Sequence, residues 1–204
     1  MTETERISKM KKFDLDRKPE GFLAGVDEAG RGPLAGPVVA AAVILPDDVI
    51  IDGINDSKKL SEKKREMLFD EICQKAVSYS IASVDEKEID KINILQATFK
   101  AMRECVAGLW VVPSYVLIDG NKSPQLDIDH EPVIKGDAKS MSVAAASILA
   151  KVSRDRYMKK MAEEYPGYGF EKHKGYGTKA HYEAIGELGI CPIHRKTFLK
   201  KVID

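Results

Sequence analysis

The sequence predicts an α/β fold with a mixed five-stranded sheet flanked by helices and a C-terminal helical extension. An apolar segment from Phe22, a Gly-rich turn and a second apolar run over 38–45 together indicate an opening hairpin. Further short apolar segments then alternate with helical ones, which is typical of α/β sheets. Because the hairpin is antiparallel, the sheet should be mixed rather than purely parallel.

Capping residues and apolar periodicity define the other elements. Ser61 is a helix cap with Glu62 in the first turn, and Gly108 is a helix stop. The helix over 140–165 opens with small apolar residues, as expected of a helix packed closely on a sheet. The predicted elements are, in order, a helical or frayed lead-in within 1–20, strands from 22 and over 38–45, a loop over 46–56, the helix after Ser61, a strand over 77–84, a helix over 85–108 broken near Asn93, strands over 115–118 and 132–134, the helix over 140–165, a Gly/aromatic segment over 166–178, a helix over 181–188 and a basic tail.

Length and composition indicate one cytoplasmic domain. The chain has 204 residues and a net charge of zero, which argues against indiscriminate binding to polyanions but leaves room for a local basic groove. No apolar run approaches about 18 residues, so no membrane span is predicted. The charged N-terminus lacks the apolar core of a signal peptide. Cys73, Cys105 and Cys191 have neither metal-ligand nor disulfide spacing, which favours reduced thiols.

Four acidic residues, Asp27, Glu28, Asp119 and Asp137, follow short apolar strands. Sites in open α/β sheets form just outside strand ends, so acids from different strands can converge there. Mutual repulsion makes such a cluster stable only around hard divalent cations, and an oxygen-only ligand set favours Mg²⁺ or Mn²⁺ over zinc. Two ions about 4 Å apart would clamp a phosphodiester, one activating water and the other stabilising the leaving oxygen.

The residues alone also allow simpler interpretations of these acids. Asp27 and Glu28 can be a charged strand end beside a Gly-rich turn, and Asp137 can complement the dipole of the helix that follows it. Asp155 is different, because it lies well along the long helix between two arginines. That position favours an ion pair over a fifth metal ligand.

Six blocks of sequence resemble ribonuclease HII. They are GVDEAGRGPLAGPVVAAA at 25–42, DSKKL at 56–60, IDG at 118–120, KGD at 135–137, AAASILAKVSRDR at 144–156 and HKGYGT at 173–178. The resemblance runs from about residue 22 to 195 in the family's order. The sister family, ribonuclease HIII, carries a sizeable extra domain before the first motif, whereas only about two dozen residues precede Asp27 here, which favours HII.

The resemblance implies an RNase H-like fold and hydrolysis of the RNA strand of RNA–DNA hybrids. It also implies incision 5′ of single ribonucleotides in duplex DNA, leaving 5′-phosphate and 3′-hydroxyl ends, in ribonucleotide removal and repair. By motif position, Asp27, Glu28, Asp119 and Asp137 match the family's catalytic, metal-binding acids. We expect Asp27 and Asp119 to be shared ligands of the two ions. The alternatives are a non-catalytic nucleic-acid-binding module and a metal nuclease of the same fold that acts on DNA junctions.

The chain is expected to divide into three parts: an N-terminal lead-in over 1–20, an RNase H-like catalytic domain over 21–165, and a substrate-contacting C-terminal segment over 166–204 of the same globular unit. The expected partners are RNA–DNA hybrid and ribonucleotide-containing duplex DNA, with no membrane, and the expected state is a monomer.

Two segments are candidates for telling RNA from DNA. Gly30, Arg31 and Gly32 form a turn that lets backbone approach a ligand closely, and the resemblance implies that backbone groups here surround the ribose, whose 2′-hydroxyl distinguishes RNA. The alternative is a turn whose glycines serve only positive φ. Tyr176 lies on a basic Gly-rich loop, and the resemblance implies contact with the nucleotide on the DNA side of the junction. Without the match, packing among neighbouring aromatics would be favoured for Tyr176.

Lysines around a helix start are candidates for phosphate contact. Lys58 and Lys59, before the cap, are the predicted contacts, whereas Lys63, Lys64 and Arg65 are expected on a solvated helix face. Further cations are expected to extend the electropositive track onto the C-terminal segment: Lys172, Lys174, Arg195, Lys196, Lys200 and Lys201. The four histidines share no metal spacing, and of His130, His173, His181 and His194 only His173 is a candidate for phosphate contact.

Overall fold

The computed structural model describes residues 2–18 and 20–199, and a five-stranded sheet forms its centre. The strands are β1 (Leu23–Ala29), β2 (Val38–Ile44), β3 (Ser78–Val84), β4 (Tyr115–Asp119) and β5 (His130–Val133). Their order across the sheet is β3-β2-β1-β4-β5. β1 and β2 form the predicted hairpin and β3 adds antiparallel to β2, whereas β4 pairs parallel to β1 and β5 parallel to β4. The predicted mixed α/β sheet is confirmed.

Eight helices accompany the sheet in the described part of the chain. They are α1 (Glu3–Arg17), α2 (Glu62–Lys75), α3 (Glu86–Ile92), α4 (Ile94–Ala107), α5 (Gly136–Lys139), α6 (Met141–Glu164), α7 (Phe170–His173) and α8 (Lys179–Leu188). Short 3-10 turns lie at Ser57–Lys59 and Lys196–Phe198. None of these helices is both long and apolar enough to cross a membrane.

Helix ends follow the capping signals. The Ser61 side chain accepts the N–H of Lys64 at the start of α2, and Gly108 caps the end of α4. Asn93, with φ of 67°, separates α3 from α4 and confirms the predicted break. The last helix begins two residues earlier than predicted, at Lys179, because the Thr178 side chain caps it. The short helices α5 and α7 were not predicted, since four residues carry no periodic signal.

The core lies on both faces of the sheet. Alternate residues of β2 point to α6 on one face and to α4 on the other, as the two-residue period of a strand requires. The helix α6 approaches β1 so closely that a Cβ on Gly25 would lie 2.2 Å from the backbone of Ser142. The small apolar residues at the start of α6 permit this contact, as the sequence predicted.

Segments near both ends of the described chain are packed onto this core. In α1, Ile7 and Met10 are buried, and Asp14 accepts the N–H of Ser142 at 2.9 Å, so α1 caps the start of α6. The C-terminal segment packs against the end of α6 in a further apolar cluster around Met158, Phe170 and Ile185. The predicted basic residues Lys200 and Lys201 lie outside the described residues.

Candidate active site

Asp27 and Glu28 are neighbours on β1 whose side chains leave opposite faces of the sheet. Asp27 pairs with Ala41, which faces α6, and Glu28 pairs with Ala40, which faces α4. Asp27 is buried, and its Oδ1 accepts the N–H of Glu28 at 2.6 Å. Glu28 is half-buried. The two carboxylates therefore lie on opposite faces of the sheet at the end of β1, one beneath the site and one at its rim.

Asp119 lies beside Asp27 because β4 runs parallel to β1. Val26 pairs with Ile118, so the next residue on each strand is one of these two acids. The Oδ1 of Asp119 accepts the N–H of Gly136 at 2.7 Å, which ties the start of α5 to the end of β4. Asp137 follows in the first turn of α5. The parallel pairing and this hydrogen bond bring together the acids that the sequence predicted to converge.

The acids influence one another electrostatically. Burial raises the pKa of Asp27 well above its usual range, and the carboxylates of Glu28 and Asp119 raise it further. Burial also raises the pKa of Glu28, which Arg31 opposes and Asp119 reinforces. The pKa of Asp137 is raised by burial and then by Asp119. Nearby protein cations thus offset the buried negative charge only in part.

These residues fit hard divalent cations. Their donors are carboxylate oxygens alone, and a cation among them would offset the cost of burying several like charges. Within residues 2–18 and 20–199, no group of three or more His, Cys, Asp or Glu side chains is arranged so that it could hold a metal ion. The ligand set of Asp27, Glu28, Asp119 and Asp137 therefore stays a prediction, which the electrostatic effect of Asp119 on the other three carboxylates supports.

Lys58 is the predicted phosphate contact that faces the acids. Burial lowers its pKa, but the surrounding carboxylates, Asp27 first and then Asp56, outweigh burial and raise it. Asp56 caps the Ser57–Lys59 turn by accepting the N–H of Lys58 at 2.9 Å. Lys59 is exposed as well, and its Nζ lies 3.9 Å from the carboxylate of Asp56.

The Gly30–Gly32 turn lies between the acids and Tyr176. Gly30 has φ of +98°, and a Cβ there would lie 2.1 Å from Nε of Arg154. Gly32 lacks both constraints, since the atom nearest to a Cβ there is Cε1 of Tyr176, at 3.7 Å. The Nη1 of Arg31 lies 3.7 Å from Oε1 of Glu28. The fold therefore explains the glycine at 30 but not the one at 32, and Tyr176, 45% exposed, borders the turn.

The prediction of a surface position is wrong for three cationic residues. Arg195 is fully buried and donates to backbone carbonyls of the Gly30–Gly36 turn, because the C-terminal tail folds beneath that turn. Lys174 is buried, and its ammonium group bonds the carbonyl of Glu171. Arg65 turns inward and donates to the carbonyls of Ser57 and Leu60. By contrast, Lys172 and Lys196 are exposed, as the electropositive track requires.

As predicted, Asp155 forms an ion pair rather than serving as a metal ligand. It is buried, and its partners are Lys151 at 2.6 Å and Arg65 at 3.7 Å. The neighbouring arginines in sequence point elsewhere: Arg154 bonds backbone carbonyls and Arg156 pairs with Glu66.

Two histidines form a buried chain of hydrogen bonds that ends at the Tyr176 loop. His194 accepts the N–H of Cys191 at Nδ1 (2.9 Å), and its Nε2 lies 3.1 Å from Nε2 of His181. The Nδ1 of His181 lies 2.9 Å from the carbonyl of Tyr176. One set of neutral tautomers satisfies every contact. The ring nitrogens of His173 bond the carbonyl of Tyr168 and the N–H of Gly175, which leaves neither for the predicted phosphate contact.

Some residues of the site were not singled out from the sequence. Asp56 faces Asp137, and Ser147 of α6 lowers the raised pKa of Asp27 while its hydroxyl donates to Oγ of Ser57 at 2.8 Å. Asp56 had a signal, since it opens the DSKKL block. Ser147 and Arg154 also lie in a matching block, at 144–156, but a polar residue inside an apolar helix does not reveal which strand end it faces.

Known proteins resemble this chain in sequence. The sequence profile of the family described as Ribonuclease HII matches residues 24–201. A ribonuclease HII of Acetivibrio thermocellus is 56% identical over 203 residues, which cover 98% of this chain and 79% of that protein.

Solved structures show the same fold. The crystal structure of ribonuclease H2 from Pyrococcus horikoshii has a TM-score of 0.73 and 29% identity, covering 89% of this chain and 96% of that one. Ribonuclease HII of Archaeoglobus fulgidus, solved in complex with PCNA, has a TM-score of 0.67 and 27% identity over 85% of this chain and 93% of that one. The RNase H-like fold expected from the resemblance is confirmed.

Proposed function

This chain belongs to the ribonuclease HII family, and from that premise we propose that it incises duplex DNA 5′ of a single embedded ribonucleotide, in the removal of ribonucleotides from DNA. Family membership makes it a metal-dependent endoribonuclease, a hydrolase that acts on RNA–DNA hybrids. One observation carries the finer proposal: a glycine that the fold does not require, Gly32, lies against the exposed ring of Tyr176 and next to the Arg31–Glu28 pair.

The four acids provide the chemical centre of the proposal. Asp27, Glu28, Asp119 and Asp137 would hold two divalent ions, Mg²⁺ or Mn²⁺. When bound, these ions supply an activated water and stabilisation of the leaving 3′-oxygen, which yields 5′-phosphate and 3′-hydroxyl ends. The chain itself holds two of the carboxylates in place, Asp119 through the N–H of Gly136 and Asp27 through the N–H of Glu28.

The turn Gly30–Gly32 would read the ribose. Arg31 and Gly32 are exposed, and neither backbone N–H has a hydrogen-bond partner within the described chain. The 2′-hydroxyl can accept such N–H groups, and it is the group that separates RNA from DNA. A side chain at 32 would stand between these amides and the sugar. This supports the interpretation that the glycine serves the substrate.

Tyr176 would select the nucleotide beyond the ribose. An aromatic ring stacks on a sugar or base, and a deoxyribose fits where a 2′-hydroxyl would clash. The ring belongs to the segment 166–204, which supports the proposal that this segment contacts substrate.

The substrate strand would enter along a cleft on the α4 side of the acids. Glu28, Asp119 and Arg31 line it together with the apolar face of Phe99 and the cation of Lys122. Lys58, beside the acids, would contact a phosphate, and Lys59 would contribute as well.

The test is cleavage of three matched duplexes: all DNA, DNA with one ribonucleotide, and RNA–DNA hybrid. We expect Mg²⁺- or Mn²⁺-dependent cleavage of the second and third, abolished by a chelator, with incision of the second on the 5′ side of the ribonucleotide. Cleavage of the hybrid alone would overturn the proposed incision at single ribonucleotides. Cleavage of all-DNA substrates at an equal rate would favour the DNA-junction nuclease.

A further inference from the structure

The ribose-facing turn is held from beneath by a fully buried guanidinium group. Arg195 donates from Nη2 to the carbonyl of Gly30 (2.6 Å), from Nη1 to that of Arg31 (3.0 Å) and from Nε to that of Gly36 (2.9 Å). It has no carboxylate partner within 4 Å among the described residues. Three carbonyl dipoles therefore replace the counterion that a buried charge ordinarily needs.

A second buried arginine extends this support to the Tyr176 loop. Arg154 donates to the carbonyls of Ala35 and Pro37, each at 3.0 Å, and to that of Lys174 at 2.9 Å. The Gly175 carbonyl in turn accepts the N–H of Leu34 at 2.8 Å. The two arginines thus join the Gly30–Gly36 turn and the Tyr176 loop into one backbone assembly.

The bonds of Arg195 fix the direction of two N–H groups. The carbonyl of Gly30 shares a peptide unit with the N–H of Arg31, and the carbonyl of Arg31 shares one with the N–H of Gly32. No described peptide bond is cis, and in a planar trans peptide the C=O and N–H point in opposite directions. When Arg195 draws both carbonyls into the interior, both N–H groups must point outward. These are the exposed amides that lack a partner in the described structure.

We propose that Arg195 is a positioning residue that aims the amides of Arg31 and Gly32 at the ribose. The inference rests on the proposed function, because it assumes that these amides meet the substrate sugar. Arg195 itself touches no substrate. It acts by holding two carbonyls on the buried side of the turn.

The guanidinium group is specifically suited to this task. It is planar and carries five donors in a fixed fork, so its three bonds restrain three peptide units relative to one another. A lysine at 195 would keep the charge but would offer a single point of attachment on a flexible stem. The carbonyls that it left unbonded would be free to rotate, and the amides would rotate with them.

The test compares Arg195→Lys with the native chain on a duplex containing one ribonucleotide. We expect kcat/KM to fall about 10- to 100-fold, the loss typical of a displacement of about 1 Å at a reacting group. The matched control is Ile185→Ala, a core change in the same C-terminal cluster that touches no carbonyl of the turn. All variants are compared at temperatures where circular dichroism shows them folded.

A binding measurement separates this inference from the proposed function. In an Asp119→Asn background, which we expect to bind without cutting, the amide NMR signals of Arg31 and Gly32 should shift when the ribonucleotide duplex is added, and shift less when Arg195→Lys is also present. Absence of the shift in the Asp119→Asn protein would count against ribose contact itself. Equal shifts with and without Arg195→Lys, or a loss of kcat/KM no greater than that of Ile185→Ala at equal melting temperature, would overturn the positioning role.

Discussion

Gly136 donates its backbone N–H to Oδ1 of Asp119 over 2.7 Å, which ties the turn that carries Asp137 to the end of β4. A Cβ on Gly136 would lie 3.2 Å from the same oxygen, so the turn lies directly against the carboxylate. Asp119 thus orders the loop after β5, and in the proposed site its second oxygen would also bind a cation. These two functions can be separated experimentally.

Replacing Asp119 by Asn should abolish cleavage and preserve the fold. The amide keeps an oxygen that can accept the N–H of Gly136, so the free energy of unfolding should change by less than about 1.5 kcal/mol, the net worth of a typical hydrogen bond. Loss of the charge should remove several kcal/mol of transition-state stabilisation, which is about 100-fold or more in rate. Cleavage of the ribonucleotide duplex, duplex binding and the melting temperature measure the three quantities. Retained cleavage would remove Asp119 from the catalytic set.

Replacement by alanine should lower stability at Gly30, whereas at Gly32 it should lower activity and leave stability unchanged. Gly30→Ala forces a positive φ on alanine and a contact of 2.1 Å with Arg154, so it should lower the free energy of unfolding by more than about 1 kcal/mol. Gly32→Ala meets nothing closer than 3.7 Å, so stability should hold or rise slightly while cleavage at a ribonucleotide falls. Urea denaturation and cleavage rates distinguish the two. Full activity in folded Gly32→Ala would show that the sugar does not approach this backbone.

Tyr176→Ala should lose more activity on a single embedded ribonucleotide than on a long RNA–DNA hybrid. The proposed partner of the ring is the deoxyribose beside the ribonucleotide, and a long hybrid offers no such junction. Tyr176→Phe is the control, because it keeps the ring that stacks. We expect the phenylalanine variant to retain most of the preference for the junction substrate. Equal losses on both substrates after Tyr176→Ala would contradict the junction role.

Lys58 should contribute more to substrate binding than Lys59. Both lie on the Ser57–Lys59 turn, but the acids of the site raise the pKa of Lys58, whereas Lys59 is largely exposed beside Asp56. Lys58→Ala should raise KM and reduce the dependence of log KM on log salt concentration by about one, as expected for one lost phosphate contact. A KM titration at several salt concentrations measures both variants. An equal or larger effect of Lys59→Ala would reverse this ranking.

The fold was predictable because its signals are local. The hairpin, the Ser61 cap and the break at Asn93 each depend on residues within a few positions of one another. The convergence of Asp27 with Asp119 was also predictable, since acids at the same end of parallel strands meet at one sheet edge.

The sequence does not reveal contacts between residues that are far apart in the chain. Arg195 stands in a basic tail and was expected on the surface, yet it bonds the carbonyl of Gly30, 165 positions earlier in the chain. Every residue has a backbone carbonyl, so an arginine that binds one needs no acidic partner elsewhere in the sequence. The sequence pattern therefore does not indicate which residues Arg195 contacts. For the same reason the two glycines of the turn look alike until φ and the neighbouring atoms are known.

The buried histidine chain should make stability depend on pH. Burial lowers the pKa of His194 to about 4, and burial likewise lowers the pKa of His181. The unfolded chain binds these protons near pH 6.5 and the folded chain does not, so the stabilisation is complete above pH 6.5 and is lost as the pH falls toward 4. The slope should reach about 1.4 kcal/mol per pH unit for each histidine that stays neutral in the folded state.

His194→Gln isolates this contribution from that of the carboxylates. The amide of glutamine can donate to Nε2 of His181 and accept the N–H of Cys191, yet it does not titrate. We expect the native chain to be the more stable one at pH 7.5 and its advantage to shrink steadily between pH 6.5 and 4.5 in urea denaturation. An advantage that stays constant over this range would mean that His194 binds its proton in the folded state as readily as in the unfolded chain, which would contradict the neutral hydrogen-bonded chain from Cys191 to Tyr176.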